Sequence, residues 1–415
     1  MQSATPFIRR RLNFWLVAGA VLVAVSLWLR PRLRQSTAVN AAMAADSVDD
    51  TALREATEGR PLPPELVERF WNTQRFPHRR AALGELVNQA TNSPDLLKLW
   101  NRLLPEAALD PDYEVRARAL GELASPGGAG QLDPVLWQLA DADPELRRLG
   151  LQHLRRLGGL AQVPLVLPLV DDPDTSVALY ADSVLRQWSG RDSGLRLSRV
   201  LPPRANLLAS PVPEEDLAAI KQASEQWRQW WRIREKPPEA ETASALPVPP
   251  TARTLPCPQI QLPDLHGNVV DVASFHGKRV LLNFWTTWCP GCLVELPLLV
   301  ELQRRHPDDL VILGISLDSA EQGALADAAP NTAGAIPPDA AQVRKIVGAV
   351  AGRQRLNYRV LLDPENRIGR QFNGGELPTN VLLDRDGRVR RRFVGERSVE
   401  VWEALLSDIE RPASH

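Results

Sequence analysis

The stretch KRVLLNFWTTWCPGCLVELPLL, residues 278–299, decides the fold of the C-terminal third of this chain. Lys278 to Trp285 reads as a strand by its β-branched and aromatic content. Thr286-Thr287-Trp288 leads out of it, and after Cys289 apolar residues recur at helical spacing through Leu302. Cys289 therefore stands where a strand hands over to a helix. Unpaired amide N–H groups and the helix dipole favour a thiolate there, so Cys289 is read as the nucleophile. Cys292 lies about one turn further on, within reach of a mixed disulfide on Cys289, and is read as the resolving thiol. Pro290 suits the first helical turn because it lacks an N–H that would be unpaired anyway, and Gly291 leaves the sulfurs uncovered.

A lone C-x-x-C is also half of a zinc site. The chain has 3 cysteines, and a second C-x-x-C is absent. The third, Cys257, is read as an inert free thiol, with a second-site redox role as the alternative. That is too few for a disulfide framework or a four-ligand structural zinc. His78, His153, His266, His276, His306 and His415 are scattered without metal-ligand spacing, so neither metal nor cofactor is expected. A charged fraction of 24% and a net charge of -1 give no basic field, which argues against nucleic acid as a partner.

The strand, Trp-Cys-x-x-Cys, helix order is that of redox proteins of the thioredoxin class. The region from Pro258 to Ile409 resembles the membrane-anchored TlpA/ResA-like thioredoxins. Four landmarks carry the resemblance in order: Leu262-Pro263-Asp264-Leu265-His266-Gly267 as an entry hairpin, NFWTTWCPGC, the strand LVILGISLD (Leu310 to Asp318), and Glu376-Leu377-Pro378-Thr379 before NVLLDRDG. The resemblance implies a redox disulfide between Cys289 and Cys292. It also implies a cis proline at Pro378 lying against the cysteine pair, with Leu377 offering its backbone to a substrate strand. Trp288, Pro290, Gly291 and Thr379 complete the implied substrate-binding surface. Ordinary thioredoxins carry a buried Asp where this chain has Asn283, so the proton-handling group must be elsewhere. The TlpA/ResA-like pattern places a Glu three residues after the second cysteine, and Glu295 stands there to take the proton from Cys292. The chain departs from the pattern at Ser319 to Asp339, read as a surface insertion, and at Asn380, where a small hydroxyl residue is more usual and which puts little in doubt.

Upstream, residues 12–29 (LNFWLVAGAVLVAVSLWL) are long and apolar enough to cross a bilayer, with Trp15 and Trp28 near the ends. Arg9, Arg10 and Arg11 precede the run and Arg30, Arg32 and Arg34 follow it, so charge gives no orientation. A leader cleaved after Ala42-Met43-Ala44 is the competing reading, disfavoured because a cleavage region normally follows the apolar run more closely. Residues 1–34 are thus a cytoplasmic stub and anchor, and 35–61 a linker.

Residues 62–195 read as helices with an internal repeat. Val115, Leu146 and Val177 are 31 residues apart each time, and Ala119, Gly150 and Ala181, then Leu123, Leu154 and Leu185, follow in step. Each unit begins near an Asp-Pro (Asp110-Pro111, Asp143-Pro144, Asp172-Pro173), an Asp cap with Pro in the first turn. The pattern resembles HEAT-type repeats, which leave an extended face for a protein partner; a mere spacer is the alternative. Residues 196–257 are a proline-rich linker broken by one helix, 213–235, on which Leu217, Ile220, Trp227, Trp230 and Trp231 share a face that docks on the last repeat.

The expectation is a multidomain chain: a transmembrane helix, an all-α HEAT-like repeat domain, and an α/β thioredoxin fold over 258–415. Its expected work is thiol–disulfide exchange with protein disulfides, as a reductant fed by a membrane thiol donor. The expected place is the bacterial inner membrane, spanned once, with the C-terminal domains periplasmic. Two rivals are an interaction scaffold in which redox is secondary, and a peroxiredoxin-like peroxidase. The second has Thr286 in place but Leu282 where that family has proline.

Overall fold

The structure, a computed structural model, describes residues 49–125, 132–197, 212–234, 246, 253–319 and 340–410. The expected span at 12–29, most of the proline-rich linker and nearly all of the insertion lie outside these residues. Among the described residues no helix is long and apolar enough to cross a membrane. Pro63–His415 forms one compact unit; of the other, Met1–Leu62, a helix over 49–57 is described.

The compact unit opens with an array of paired helices: α1 (Pro64–Asn72) with α2 (Phe76–Gln89), α3 (Pro94–Ala107) with α4 (Tyr113–Leu123), and α5 (Leu132–Gln138) with α6 (Pro144–Leu157). Next come α7 (Val163–Val166), continued by a 3-10 turn, and α8 (Thr175–Ser189). The 31-residue spacing is realised in α4, α6 and α8, where Val115, Leu146 and Val177 are buried and so are Leu123, Leu154 and Leu185. Gly150 is small for a packing reason, since a Cβ there would lie 3.1 Å from Gln138 Cβ. Two of the three caps differ from the Asp-Pro expectation. The capping residues are Asp112, Asp143 and Asp174, which accept from the N–H groups of Glu114, Glu145 and Ser176. Asp110, Asp141 and Asp172 each accept the N–H of the cap two residues on. The repeated unit is Asp-x-Asp, in strict 31-residue register, and only Pro144 directly follows its cap.

The Trp-rich helix α9 (Glu214–Ile233) lies on the end of the array with Ile220, Trp227 and Trp231 buried, and Trp227 Nε1 donates to Asp182 Oδ1 at 2.8 Å. Leu217 is 51% exposed and does not join that face.

The remainder is a six-stranded sheet ordered β1-β8-β7-β4-β5-β6. Its strands are β1 (Leu255–Pro256), β4 (Arg279–Trp285), β5 (Leu310–Ser316), β6 (Arg359–Leu362), β7 (Thr379–Leu383) and β8 (Arg388–Val394). β2 (Gln261–Pro263) and β3 (Val269–Asp271) make the entry hairpin. β4 is buried at every position, as befits a central strand, with Asn283 the polar residue in the middle of its apolar run. Its side chains alternate between two cores. Leu281 joins Leu299, Leu302 and Trp402 of the helices α10 (Pro290–Arg305) and α13 (Val399–Asp408), whereas Leu282 and Phe284 join the core containing Phe76 and Phe372. On the far side of β5, α11 (Ala340–Arg353) packs Val343, Val347 and Val350 against Trp285 and Leu296, and α12 (Arg367–Gln371) follows β6. The sheet starts earlier than residue 258, because β1 already pairs with β8. Cys257 consequently packs against the sheet core rather than in a linker.

The array and the sheet meet along β8. The Arg392 N–H donates to the Pro111 carbonyl at 2.8 Å, so beyond β1 the Asp110–Asp112 turn continues the cover over that strand edge. Phe76, at the start of α2, stacks on Phe372 with ring centroids 5.7 Å apart.

Candidate active site

Cys289 is the N-cap of α10, and its Sγ accepts the Cys292 N–H at 3.1 Å. The two sulfurs are bonded, with their Cα atoms 5.3 Å apart. A 16-residue helix thus directs its free amides and dipole at the outer sulfur. Cys292 is fully buried and Cys289 is nearly so, while Trp288 beside them is 48% exposed. Attack from outside is thereby directed to Cys289. The loop before it is anchored by a residue the sequence reading passed over: buried Asp318, at the end of the β5 segment, accepts from the Thr287 N–H at 3.1 Å and the Thr287 hydroxyl at 2.7 Å. Thr286 is buried with its hydroxyl unpartnered among the described residues.

The Leu377–Pro378 bond is cis. A Cβ placed on Gly291 would lie 3.5 Å from Pro378 Cδ and 3.4 Å from Glu396 Oε2, so the cis proline and the Glu396 carboxylate flank the cysteine turn. Leu377 is partly buried between two cores. Thr379 points inward: it is fully buried and its hydroxyl donates to the Glu376 carbonyl.

Glu295 lies one turn beyond Cys292 on the same helix face and is fully buried. Its partners follow from strand register. Asn283 on β4 and Asn380 on β7 are directly opposite one another, so both amides reach the same side of the sheet beneath α10. Asn283 Nδ2 donates to Glu295 Oε2 at 3.0 Å, and Asn380 Nδ2 donates to Oε1 at 3.0 Å. The Arg397 N–H, just past β8, donates to Oε1 at 3.3 Å. Burial pushes the Glu295 carboxyl up to about 8, against the pull of the Asn380 amide and the Arg397 guanidinium. A carboxyl held by neutral amides in an apolar site is a group that exchanges a proton near neutrality. Asn380 was the signal that could have been read: an amide in the otherwise apolar run TNVLL needs a buried partner.

The remaining cysteine, Cys257, is of another kind, its thiol pushed up to about 12 by burial. Among the described residues no cluster of His, Cys, Asp or Glu is placed to hold a metal ion.

Residues 252–406 match the Redoxin family. The chain is 30% identical over 122 residues to thioredoxin-like protein YneN of Bacillus subtilis (strain 168), a match covering 29% of this chain and 59% of that protein. It thus spans less than two thirds of that relative. It is 30% identical over 152 residues to the thiol-disulfide oxidoreductase ResA of Bacillus thuringiensis (strain Al Hakam), covering 37% of this chain and 75% of that protein. Among solved structures, StoA from Bacillus subtilis aligns at 20% identity over 36% of this chain and 96% of its own, with a TM-score of 0.28. With its cysteine pair at a strand-to-helix junction and this extent of similarity to ResA, the chain belongs to the TlpA/ResA-like family of thioredoxin-like thiol–disulfide oxidoreductases.

Proposed function

We propose that this protein reduces protein disulfides outside the cytoplasm, anchored by residues 12–29 and recharged by a thiol donor in the membrane. The observation that carries the reading is the pairing of a helix-capping cysteine with a buried, amide-held carboxyl one turn behind it. The Cys289 thiolate attacks a substrate disulfide, forming a mixed disulfide and expelling one substrate thiolate. Cys292 then gives its proton to ionised Glu295 and attacks Cys289 Sγ. The second substrate sulfur leaves, the Glu295 proton neutralises the outgoing thiolate, and the Cys289–Cys292 disulfide remains. Two electrons and one proton pass from the protein to the substrate, and the thiolate expelled first takes its proton from solvent. The exposed indole of Trp288 and the backbone of Leu377 before the cis proline line the approach and are the groups assigned to substrate binding, with Pro290 and Gly291 leaving the outer sulfur open.

The location rests on the apolar sequence 12–29, and the direction rests on similarity to the family. The peroxidase reading has less support, because Thr286 is buried and the second sulfur is already bonded to the first. The test is a redox titration of the intact chain together with turnover of insulin disulfides. A potential near roughly -270 mV, with turnover lost in Cys289→Ser, is the expected result; a value near about -120 mV would reverse the direction.

A further inference from the structure

We propose that the helical array is a positioning element of the redox site: Asp112 and Asp143, caps of two successive repeats, hold the two arginines that fix the cis-proline loop and Glu295. The proposal rests on the reading of Glu295 as the proton carrier and adds the device that sets its environment.

Arg392 is fully buried on β8. Its Nη1 meets Asp112 Oδ1 at 3.1 Å, its Nε donates to the Phe372 carbonyl at 2.6 Å, and its Nη2 donates to the Asn373 carbonyl at 3.0 Å. Those carbonyls begin the loop that runs to Pro378. Arg80 of α2 adds a second strut, with Nε on Asp112 Oδ2 at 2.8 Å and Nη1 on Glu376 Oε2 at 2.9 Å, two residues before the cis proline. Although burial pushes the Asp112 carboxyl up, the Arg392 and Arg80 guanidinia bring it below its ordinary value, so it stays charged.

Arg397 works the same way on the other side of the site. Its Nη2 meets Asp143 Oδ2 at 3.0 Å, with both side chains buried. Its Nη1 donates to the Glu396 carbonyl at 3.0 Å, and its backbone N–H is the one that reaches Glu295. The neighbouring Gly395 N–H donates to the Pro378 carbonyl at 2.8 Å, which ties this segment to the cis proline. Asp143 therefore stands at one end of Arg397 and Glu295 at the other. Asp143 sets the charge balance around a guanidinium this deeply buried, unlike a surface pair that is nearly free to break, and an isosteric amide in its place can keep the contact while removing the charge.

A purely adhesive role for Asp143 would leave the titration of Glu295 alone, so that titration is the readout. The groups facing Glu295 are Arg397 and Glu396 past β8, Asn283 on β4, Asn380 on β7, Tyr358 ahead of β6 and Cys292 on its own helix. Behind Arg397, Asp143 shares its surroundings with Arg116, Arg391, Asp141 and Asp408. Neutralising Asp143 with Arg397 in place leaves more positive charge beside Glu295 and favours its ionised form.

The experiment follows the rate at which the reduced intact chain reacts with glutathione disulfide as pH is varied. In Asp143→Asn the midpoint of the Glu295 limb is expected to fall by about half a pH unit, and in Arg397→Gln to rise by at least as much. The double variant should match Arg397→Gln alone, because Asp143 acts through that arginine. A midpoint in Asp143→Asn equal to the wild type, or a shift that persists undiminished in the double variant, overturns the proposal. Should Asp143→Asn not fold, an unmoved midpoint in Arg397→Gln overturns it as well. Glu295→Gln separates the two layers: if the limb survives in that variant, the proton-carrier reading is what fails.

Discussion

The helical array and the redox sheet both bury acidic side chains, and they do so in opposite ways. In the array the carboxylate meets guanidinium: Asp112 with Arg392 and Arg80, Asp143 with Arg397, Asp172 with Arg147. Beneath α10 the carboxylate meets amides, from Asn283, Asn380 and the Arg397 backbone. Guanidinium partners supply the opposite charge, which holds Asp112 below its ordinary value, and make these carboxylates structural. Amide partners satisfy the oxygens of Glu295 without supplying charge, and its protonation is then set near the working pH.

The hardest way to break this comparison is to remove a carboxylate of the first kind. Asp112→Ala strands two guanidinia, one of them fully buried, and is expected to cost about 3–5 kcal/mol in chemical denaturation at neutral pH. A loss within roughly 0.5 kcal/mol would make the pair an ordinary surface contact. Glu295→Gln should act with the opposite sign. The folded protein holds the Glu295 proton from the ordinary 4.5 up to about 8, so the carboxyl's favourable contribution is complete below the lower value and declines as pH rises toward the upper one. At roughly 1.4 kcal/mol per unit, the glutamine variant should be more stable than wild type by a few kcal/mol above about pH 8, and equal to it in acid. Denaturation curves that keep the same pH slope in both proteins would contradict this. The smallest effect belongs to Asp174→Ala, at the third turn, for which no ion pair to the sheet is found among the described residues. Losing that helix cap should lower stability by about 1 kcal/mol, and a cost as large as that of Asp112 would erase the distinction among the three turns.

Much of this was legible from local pattern. The strand before Cys289, the helix after it, the cis bond at Pro378 and the 31-residue phase of the array all follow from residues close in sequence or from matched motifs. The Asp-Pro reading held at Asp143-Pro144 and failed at the other two turns because it followed proline. The structure follows the doublets Asp110/Asp112, Asp141/Asp143 and Asp172/Asp174, in which the first Asp closes a turn and the second caps a helix. Arg116 and Arg147 occupy one phase of the repeat and reach forward to Asp141 and Asp172 of the next turn, while the last copy has Ala178. The partners of Glu295 were hidden for a different reason. Asn283 and Asn380 are 97 residues apart and become neighbours only through the pairing of β4 with β7. Arg392 on β8 and Arg397 just past it find their carboxylates, Asp112 and Asp143, only where the array is laid against them. No periodicity within a window reports a contact made by a separate layer of the fold.

Burial of Cys257 has a use beyond keeping that thiol quiet. The chain has 3 cysteines, and with one held in the sheet core and Cys292 replaced by serine, only Cys289 is left to meet a substrate. A captured partner then stays covalently attached, since within the same molecule no second competent thiol remains to release it. The protein would become a bait for its own clients, and the peptide joined to Cys289 in a digest would name them.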